Sequence, residues 1–433
     1  MQKTEALHGL AFAFLAFILL FILHHLPINQ IFIDPFTEAI KNHDLMDISI
    51  SKFRNHKNPY LFDNQVVIIN SEVTNRKEIA EAINYLSQQN VRGIGVDLVF
   101  DSLHLSKADT LLAAALGNEK VILGYTFKEA HDASGNSTMG MRSDNYFTSK
   151  ATLAYVNLAS NDGFSVRAFE PFHVIDGKEQ HSFSLKLAST LDSTVVRDTR
   201  SRGNKLEWIN FKRVQPGEIS MQYPINSHGL SHYAFYGIKN FLRDTASYPA
   251  KYFEDKIVLI GFCGESDKAM SMKDRYFTPL NEKYQGRSLP DMHGVVVHAN
   301  IVSMLAKREF IYEVPELLLY TFAFVIFFVN YLIFAKVARR KLYLMVPVVR
   351  LIQVFQFIFL FTLCIFFLAY ADIKIGFIII MTAVILSFDI FEFYAHKMRN
   401  RVAQRINRIL HKEKKHDLPI PETEEINQHD IPH

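Results

Sequence analysis

Residues 66–100 read VVIINSEVTNRKEIAEAINYLSQQNVRGIGVDLVF, and this stretch decides the fold of the central part of the chain. Val66 to Asn70 is a short continuous apolar run of the kind a buried strand carries. Asn75 then stands where a helix cap belongs, with Glu78 three residues on, and Ile79, Ile83 and Leu86 recur on one helical face. Gly93 to Phe100 is the next strand. Strand, helix and strand in this order make a βαβ unit, whose strands are parallel and whose crossover is right-handed.

The same pattern extends outward from that unit. A helix is predicted near Asp109 to Leu116 and a strand from Val121 to Tyr125. Asp132 to Asn145, rich in Gly, Ser and Asn, reads as an exposed loop. Strands are predicted near Ala154 to Asn157 and Leu206 to Phe211, with a helix near Ser182 to Leu191. Lys256 to Gly261 reads KIVLIG, a buried strand that ends in glycine, and a loop holding Asp274, Thr278 and Pro279 follows. Met292 to Asn300 reads MHGVVVHAN and runs into a helix whose face carries Val297, Ile301 and Leu305. The fold class is therefore an α/β domain with a mostly parallel sheet.

Four apolar runs bracket this domain. Gly9 to Leu23 is apolar without a break and, with Ala6, Leu7 and Leu26, reaches the roughly 20 residues that a helix needs to cross a hydrocarbon core. The others run from about Val314 to Ala335, Val346 to Ala371 and Ile373 to Phe391. Charged residues still make up 21% of the chain, because the large α/β part dilutes the apolar segments. The chain is thus expected to divide into a first membrane helix (1–26), an α/β domain (27–313), three membrane helices (314–396) and a tail (397–433).

Basic flanks set the orientation, since cytoplasmic loops carry the excess of Lys and Arg. Lys336, Arg339, Arg340 and Lys341 lie between the second and third runs, whereas the turn after the third offers only Asp372 and Lys374. The stretch after the fourth run holds Lys397, Arg399, Arg401, Arg405, Arg408, Lys412, Lys414 and Lys415. Both basic segments read as cytoplasmic, so both termini are expected inside the plasma membrane of the cell and residues 27–313 outside it. His24, His25, Leu26 and Pro27 follow the first run where a small-residue cleavage site would lie, so that run reads as an uncleaved anchor.

Several functional classes find no support. Cys263 and Cys364 fall in different parts of the chain, so no disulfide forms within the outer domain and its core must hold by packing. His293 and His298 are five residues apart, a spacing that fits neither one helical face nor one strand face, and they read as structural rather than as metal ligands. No Gly-x-Ser-x-Gly nucleophile motif occurs. Asn136-Ser137-Thr138 matches a glycosylation sequon but reads as loop chemistry. In the membrane runs, Arg350 is placed to snorkel to the cytoplasmic side and Asn330 to bond across helices. Met398, Val402, Ile406, Ile409 and Leu410 recur at helical spacing with arginines opposite, a basic amphipathic helix suited equally to anionic lipid or to a partner's helix. Beyond Asp417 the composition is that of a disordered tail.

In its motifs the central domain resembles the type-2 CHASE domain, an extracellular sensory module of bacterial histidine kinases, adenylate cyclases and diguanylate cyclases. Val66 to Asn70 resembles the family's opening strand, and Gly95 to Asp101 (GVDLVFD) its second strand with an acidic end. Asp109 to Leu116 matches the short helix that follows. The KIVLIG strand, the spacing of Asp274, Thr278 and Pro279, and Gly294 to Asn300 match the closing part. Together these span about Phe32 to Ile311. The loop after the first strand departs from the pattern: Asn70, Ser71 and Glu72 stand where an Asp is usual, and the tryptophan-rich stretch that commonly follows is absent. The resemblance implies one membrane helix before the domain and three after it, as hydropathy gives independently, and then a kinase or cyclase. Residues 397–433 are too few for either, so the output is expected from a separate protein.

In open α/β sheets, ligands sit beyond the carboxyl ends of the strands. Asp97, Gly261, Asp274 and Thr278 are the candidate ligand-binding residues, on the expectation that their strands are neighbours. The alternative reading is that they cap helices and shape turns. No catalytic residue, metal or cofactor is assigned. The expected function is that of a non-enzymatic receptor that senses an unknown small-molecule or envelope ligand and biases a cytoplasmic signalling protein in trans. The other reading is an envelope scaffold whose outer domain docks proteins. The expected partners include the lipid bilayer but no nucleic acid, and a homodimer is left open.

Overall fold

The computed structural model describes residues 2–25, 45–54, 62–72, 75–128, 137–140, 142–160, 165–213, 233–264, 272–281, 289–340, 345–398, 402 and 404. Most of the Asp132 to Asn145 loop's Gly- and Ser-rich part and nearly all of the basic tail from Arg399 lie outside these residues. The chain forms two units: Met1–Ile31, Val314–Leu363 and Ile375–His433 make one, and Phe32–Glu313 with Cys364–Lys374 make the other.

Helix α1 (Gln2–His25) opens the first unit. The second unit is built on β1 (Asp63–Asn70), α2 (Arg76–Ser87), β2 (Gly93–Asp97), α3 (Lys107–Leu116), β3 (Val121–Tyr125), β4 (Thr152–Tyr155), α4 (Phe183–Leu191), β5 (Tyr233–Gly237), β6 (Ile257–Gly261) and α5 (Gly294–Lys307). All six strands join one sheet in the order β5-β1-β6-β2-β3-β4, and every pairing in it is parallel. The expected βαβ pattern is present and extended.

Alternation along the strands sorts the core into two layers, as the period of two requires. Val66, Ile68, Ile257 and Leu259 face α4 and α5, in a core that holds Phe183, Leu187, Val296 and Leu305. Val67, Ile69, Val258 and Ile260 lie on the other side with Ile79, Ile83 and Leu86 of α2 and Leu112 of α3. A parallel sheet covered on both faces must have apolar residues at both parities, which is why the strands read as continuous apolar runs. Local signals start the helices: the Asn75 side chain accepts from Lys77 N–H at 3.0 Å. Ser106 and Asp109 form a reciprocal capping box on α3, and Ser182 caps α4.

Two expected elements come out differently. Of Leu206 to Phe211, only Glu207–Trp208 is strand, and it pairs antiparallel with Val166–Phe169 in a small separate sheet. The fourth apolar run does not start its helix at Ile373. Asp372 adopts a left-handed backbone (φ 54°), and Ile373–Lys374 pairs in parallel with Tyr312–Glu313. Lys374 is drawn there by charge, with Nζ 3.1 Å from the centroid of the Trp208 ring and 3.7 Å from Glu313.

Among the described residues, four helices are long and apolar enough to cross a membrane. The last three are α6 (Glu316–Arg339), α7 (Met345–Ala371) and α8 (Phe377–Phe393). Phe12 of α1 is fully buried against the rings of Phe327, Tyr331, Phe391 and Tyr394. Close approach is possible because position 9 is glycine: a Cβ there would lie 2.9 Å from Phe328. Polar ties sit at one end of the bundle, where His8 Nδ1 is 2.9 Å from the Tyr394 hydroxyl and Glu5 is 3.0 Å from Arg339.

Candidate functional site

The carboxyl ends of four strands form one row. Gly237 of β5 pairs with Asn70 of β1, Asn70 with Gly261 of β6, and Gly261 with Asp97 of β2. Two of the four candidate residues, Asp97 and Gly261, are therefore adjacent in register. Asp274 joins them: it sits in a left-handed turn (φ 55°) just before the two-residue strand Arg275–Tyr276, which pairs with Met292–His293. Its backbone carbonyl accepts the first N–H of α5, from Gly294, at 3.0 Å. Gly294 lets the Asp274 carboxylate lie close, since a Cβ there would come within 3.0 Å of Oδ2.

The electrostatics of the three acidic or phenolic groups are linked. Burial, and then the charge of Asp274, raises the Asp97 carboxyl well above the usual carboxylate range. Burial raises Asp274 as well, while a hydrogen bond from Tyr276 and the backbone of Gly294 work against it. The Tyr276 hydroxyl is raised by burial and then by both carboxylates. Near neutral pH, Asp97 is thus a candidate hydrogen-bond donor beside an acceptor.

Gly261 and Thr278 have structural work. A Cβ on Gly261 would fall 2.8 Å from the side chain of Val295, so glycine lets α5 close on the sheet. Thr278 is buried, and its hydroxyl donates to Asp291 Oδ2 at 2.5 Å while its N–H donates to Oδ1 at 2.8 Å. Burial pushes the Asp291 carboxyl up to about 7, against those two hydrogen bonds. Thr278 thus fastens the turn before Pro279 and is not brought into the row.

Asn70 organises the edge, and sequence reasoning gave it no such role. Its side-chain oxygen accepts from Cys263 N–H at 2.8 Å and from Glu72 N–H at 3.0 Å, and its amide donates to Gly264 O at 2.9 Å. One side chain therefore shapes the loops after both β1 and β6. Its place at the end of a buried strand, opposite a glycine-ended one, was the available signal. Glu72 has a left-handed backbone (φ 51°), and its carboxylate passes over Gly237.

A second polar array was also missed. His173 Nε2 lies 2.7 Å from Ser137 Oγ and Nδ1 lies 2.8 Å from Glu170 Oε2, with Phe127 stacked on the imidazole at 4.1 Å. The order is that of a nucleophile relay. Ser137 is buried, however, its carbonyl accepts from Asp176 N–H at 3.0 Å, and it bridges Ile175. The array fastens this loop to the Phe172–Ile175 strand. Of the two histidines weighed at sequence level, His298 is buried with Nδ1 2.9 Å from Ser184 Oγ, joining α5 to α4.

A family model described as the CHASE2 domain matches residues 46–335. The chain belongs to the CHASE2 family. That match spans the whole described α/β sheet and the site row at its carboxyl edge, and CHASE2 is a family of extracellular sensory domains. With the four apolar helices, this makes the chain a multi-pass membrane protein carrying a CHASE2 domain. No curated protein and no solved structure matches it.

Proposed function

We propose that this CHASE2 protein is a non-enzymatic membrane receptor. Residues 27–313 face the outside of the plasma membrane, both termini are cytoplasmic, and a small polar ligand at the row of Asp97, Gly261 and Asp274 shifts the domain between two states. The membrane helices pass that shift to a cytoplasmic signalling protein. The observation that carries this reading is the match of residues 46–335 to a sensory family. Two facts support the placement of the ligand: the strand ends converge at Asn70, Gly261 and Asp97, where open α/β sheets take ligands, and the carboxyls there are perturbed. The basic flanks at Lys336, Arg339, Arg340 and Lys397 support the orientation.

The test is a thermal-shift panel on the full chain in lipid nanodiscs, with amino acids, sugars, polyamines and divalent cations as solutes. A ligand that binds only the folded state at 100 times its Kd adds about 2.7 kcal/mol. The reading expects at least one solute to raise the midpoint, and the rise to vanish in Asp97→Ala/Asp274→Ala. A panel with no shift, or a shift that persists in the double variant, contradicts it. Removal of residues 399–433 is expected to abolish the cellular response without changing the shift.

A further inference from the structure

We propose that α7 is a sliding rod that carries the state of the CHASE2 domain to the other end of the membrane helices. Its 27 residues form one unbroken helix that belongs to both units, residues 345–363 to the membrane unit and 364–371 to the α/β unit. The two parts are held in different ways.

The C-terminal part is built into the domain. Leu368 is fully buried in the same core cluster as Met46, Ile50 and Phe211. The Ser49 hydroxyl donates to Ile365 O at 3.0 Å. Arg54 reaches across the end of the helix, donating to Phe211 O at 3.1 Å, Leu368 O at 3.3 Å and Asp372 Oδ1 at 2.8 Å. Lys212 lies 3.5 Å from Asp372 Oδ2, and Tyr312 N–H donates to Asp372 O at 2.8 Å. Any movement of these elements takes the end of α7 with it.

The N-terminal part packs less deeply, with Val349 in the bundle core and Met345, Phe357, Leu360 and Phe361 only partly buried against it, and polar side chains supply further ties. Among residues 345–363 only Val349 and Gln353 are buried, while Leu351, Val354, Phe355, Ile358 and Phe359 are exposed. Its ties lie on one stripe three residues apart. Arg350 pairs with Asp389, Gln353 donates to Val384 O at 2.6 Å and Ile385 O at 3.1 Å, and Gln356 donates to Asn330 Oδ1 at 2.7 Å. Asn330 in turn donates to Ser387 Oγ at 2.9 Å. By contrast, α6 buries Leu319, Ala323, Phe327, Tyr331 and Phe334 along its length. Interlocked apolar side chains resist slipping, whereas amides bonded to backbone carbonyls can pass to the next carbonyl with little loss. Among the described residues none donates to the buried Gln356 Oε1, so this register leaves one polar group unfilled that another could satisfy. Asp372, left-handed, and Gly376 break the chain before α8, which frees α7 from its successor.

The receptor reading supplies what drives α7, but the test needs no ligand, so either can fail without the other. In a Cys263→Ser/Cys364→Ala background of the full chain in nanodiscs, spin labels on Val346→Cys and Phe393→Cys report α7 against α8. Labels on Val329→Cys and Phe393→Cys report α6 against α8. Asp372→Asn, and Lys212→Met as a milder variant, are expected to shift the first distance by about 2 Å or more and leave the second unchanged. Gln356→Leu is expected to shift the first distance as well. Distances unchanged in all three variants, or both pairs moving together, would overturn the proposal. A shift with Gln356→Leu alone would overturn it too, because α7 would then be loose but not steered by the domain.

Discussion

Thr278 and Asp291 show how a residue chosen for chemistry can be spent on structure. The Asp291 carboxyl is raised to about 7 from an ordinary 3.8, chiefly by burial. A folded-state pKa above the unfolded value means that the native form holds its proton longer, so its contribution to stability is present below about pH 4 and is lost as pH rises through about 7. His293 and His298, lowered to about 4 by burial, pull the opposite way between about 4 and 6.5. The sign is therefore read from a difference: Asp291→Asn is expected to gain melting temperature relative to the parent as pH goes from 5 to 8. A constant difference across that range would show that Asp291 does not titrate there. Asn70→Ala is expected to cost about 1–3 kcal/mol, since it strips partners from Cys263 N–H and Gly264 O, and denaturant melts would measure it. Asp97 was legible in the sequence because an acidic residue ending an apolar strand is conspicuous. Asn70 was not, because two of its three hydrogen bonds reach the loop after β6, almost 200 positions away.

Among the elements, those with a strong local pattern were legible. The strands β1, β2, β3 and β6 and the helices α2, α3 and α4 follow from apolar runs and caps that need no tertiary partner to be read. The edge strand β5 was missed: its Tyr233-Ala-Phe-Tyr-Gly237 is short and lacks a clear apolar alternation, and it is strand because β1 offers it a parallel edge. The strand expected at Leu206 to Phe211 shrank to two residues, because its neighbours Ile209, Asn210 and Phe211 turn inward to bury in the core. The helix α5 tests the reading of Gly261 as a packing residue. Gly261→Ala would set a methyl 2.8 Å from Val295 and is expected to cost about 1–3 kcal/mol by overpacking. Gly261→Ala/Val295→Ala, which restores the space, is expected to recover part of that cost in the same melts. Failure to recover would place the strain elsewhere.

For the whole molecule, hydropathy marks four candidate crossings and the basic flanks an expected direction, but neither reveals that the end of α7 belongs to the α/β unit. Leu368 looks in sequence like any other membrane leucine. Only the fold gives it a place beside Met46 and Ile50 in the domain core. That residue and Asp372 set the end of α7 within the α/β unit. If both proposals hold, ligand occupancy of the CHASE2 domain and the position of α7 are two readings of one equilibrium. Linkage then requires that both change over the same concentration range. The decisive measurement is the distance between labels at positions 346 and 393 in nanodiscs, titrated with a solute that raises the domain's melting midpoint. The distance is expected to reach half its full shift at the Kd that the concentration dependence of the melting midpoint gives, and a distance that stays fixed at concentrations far above that Kd would refute the coupling.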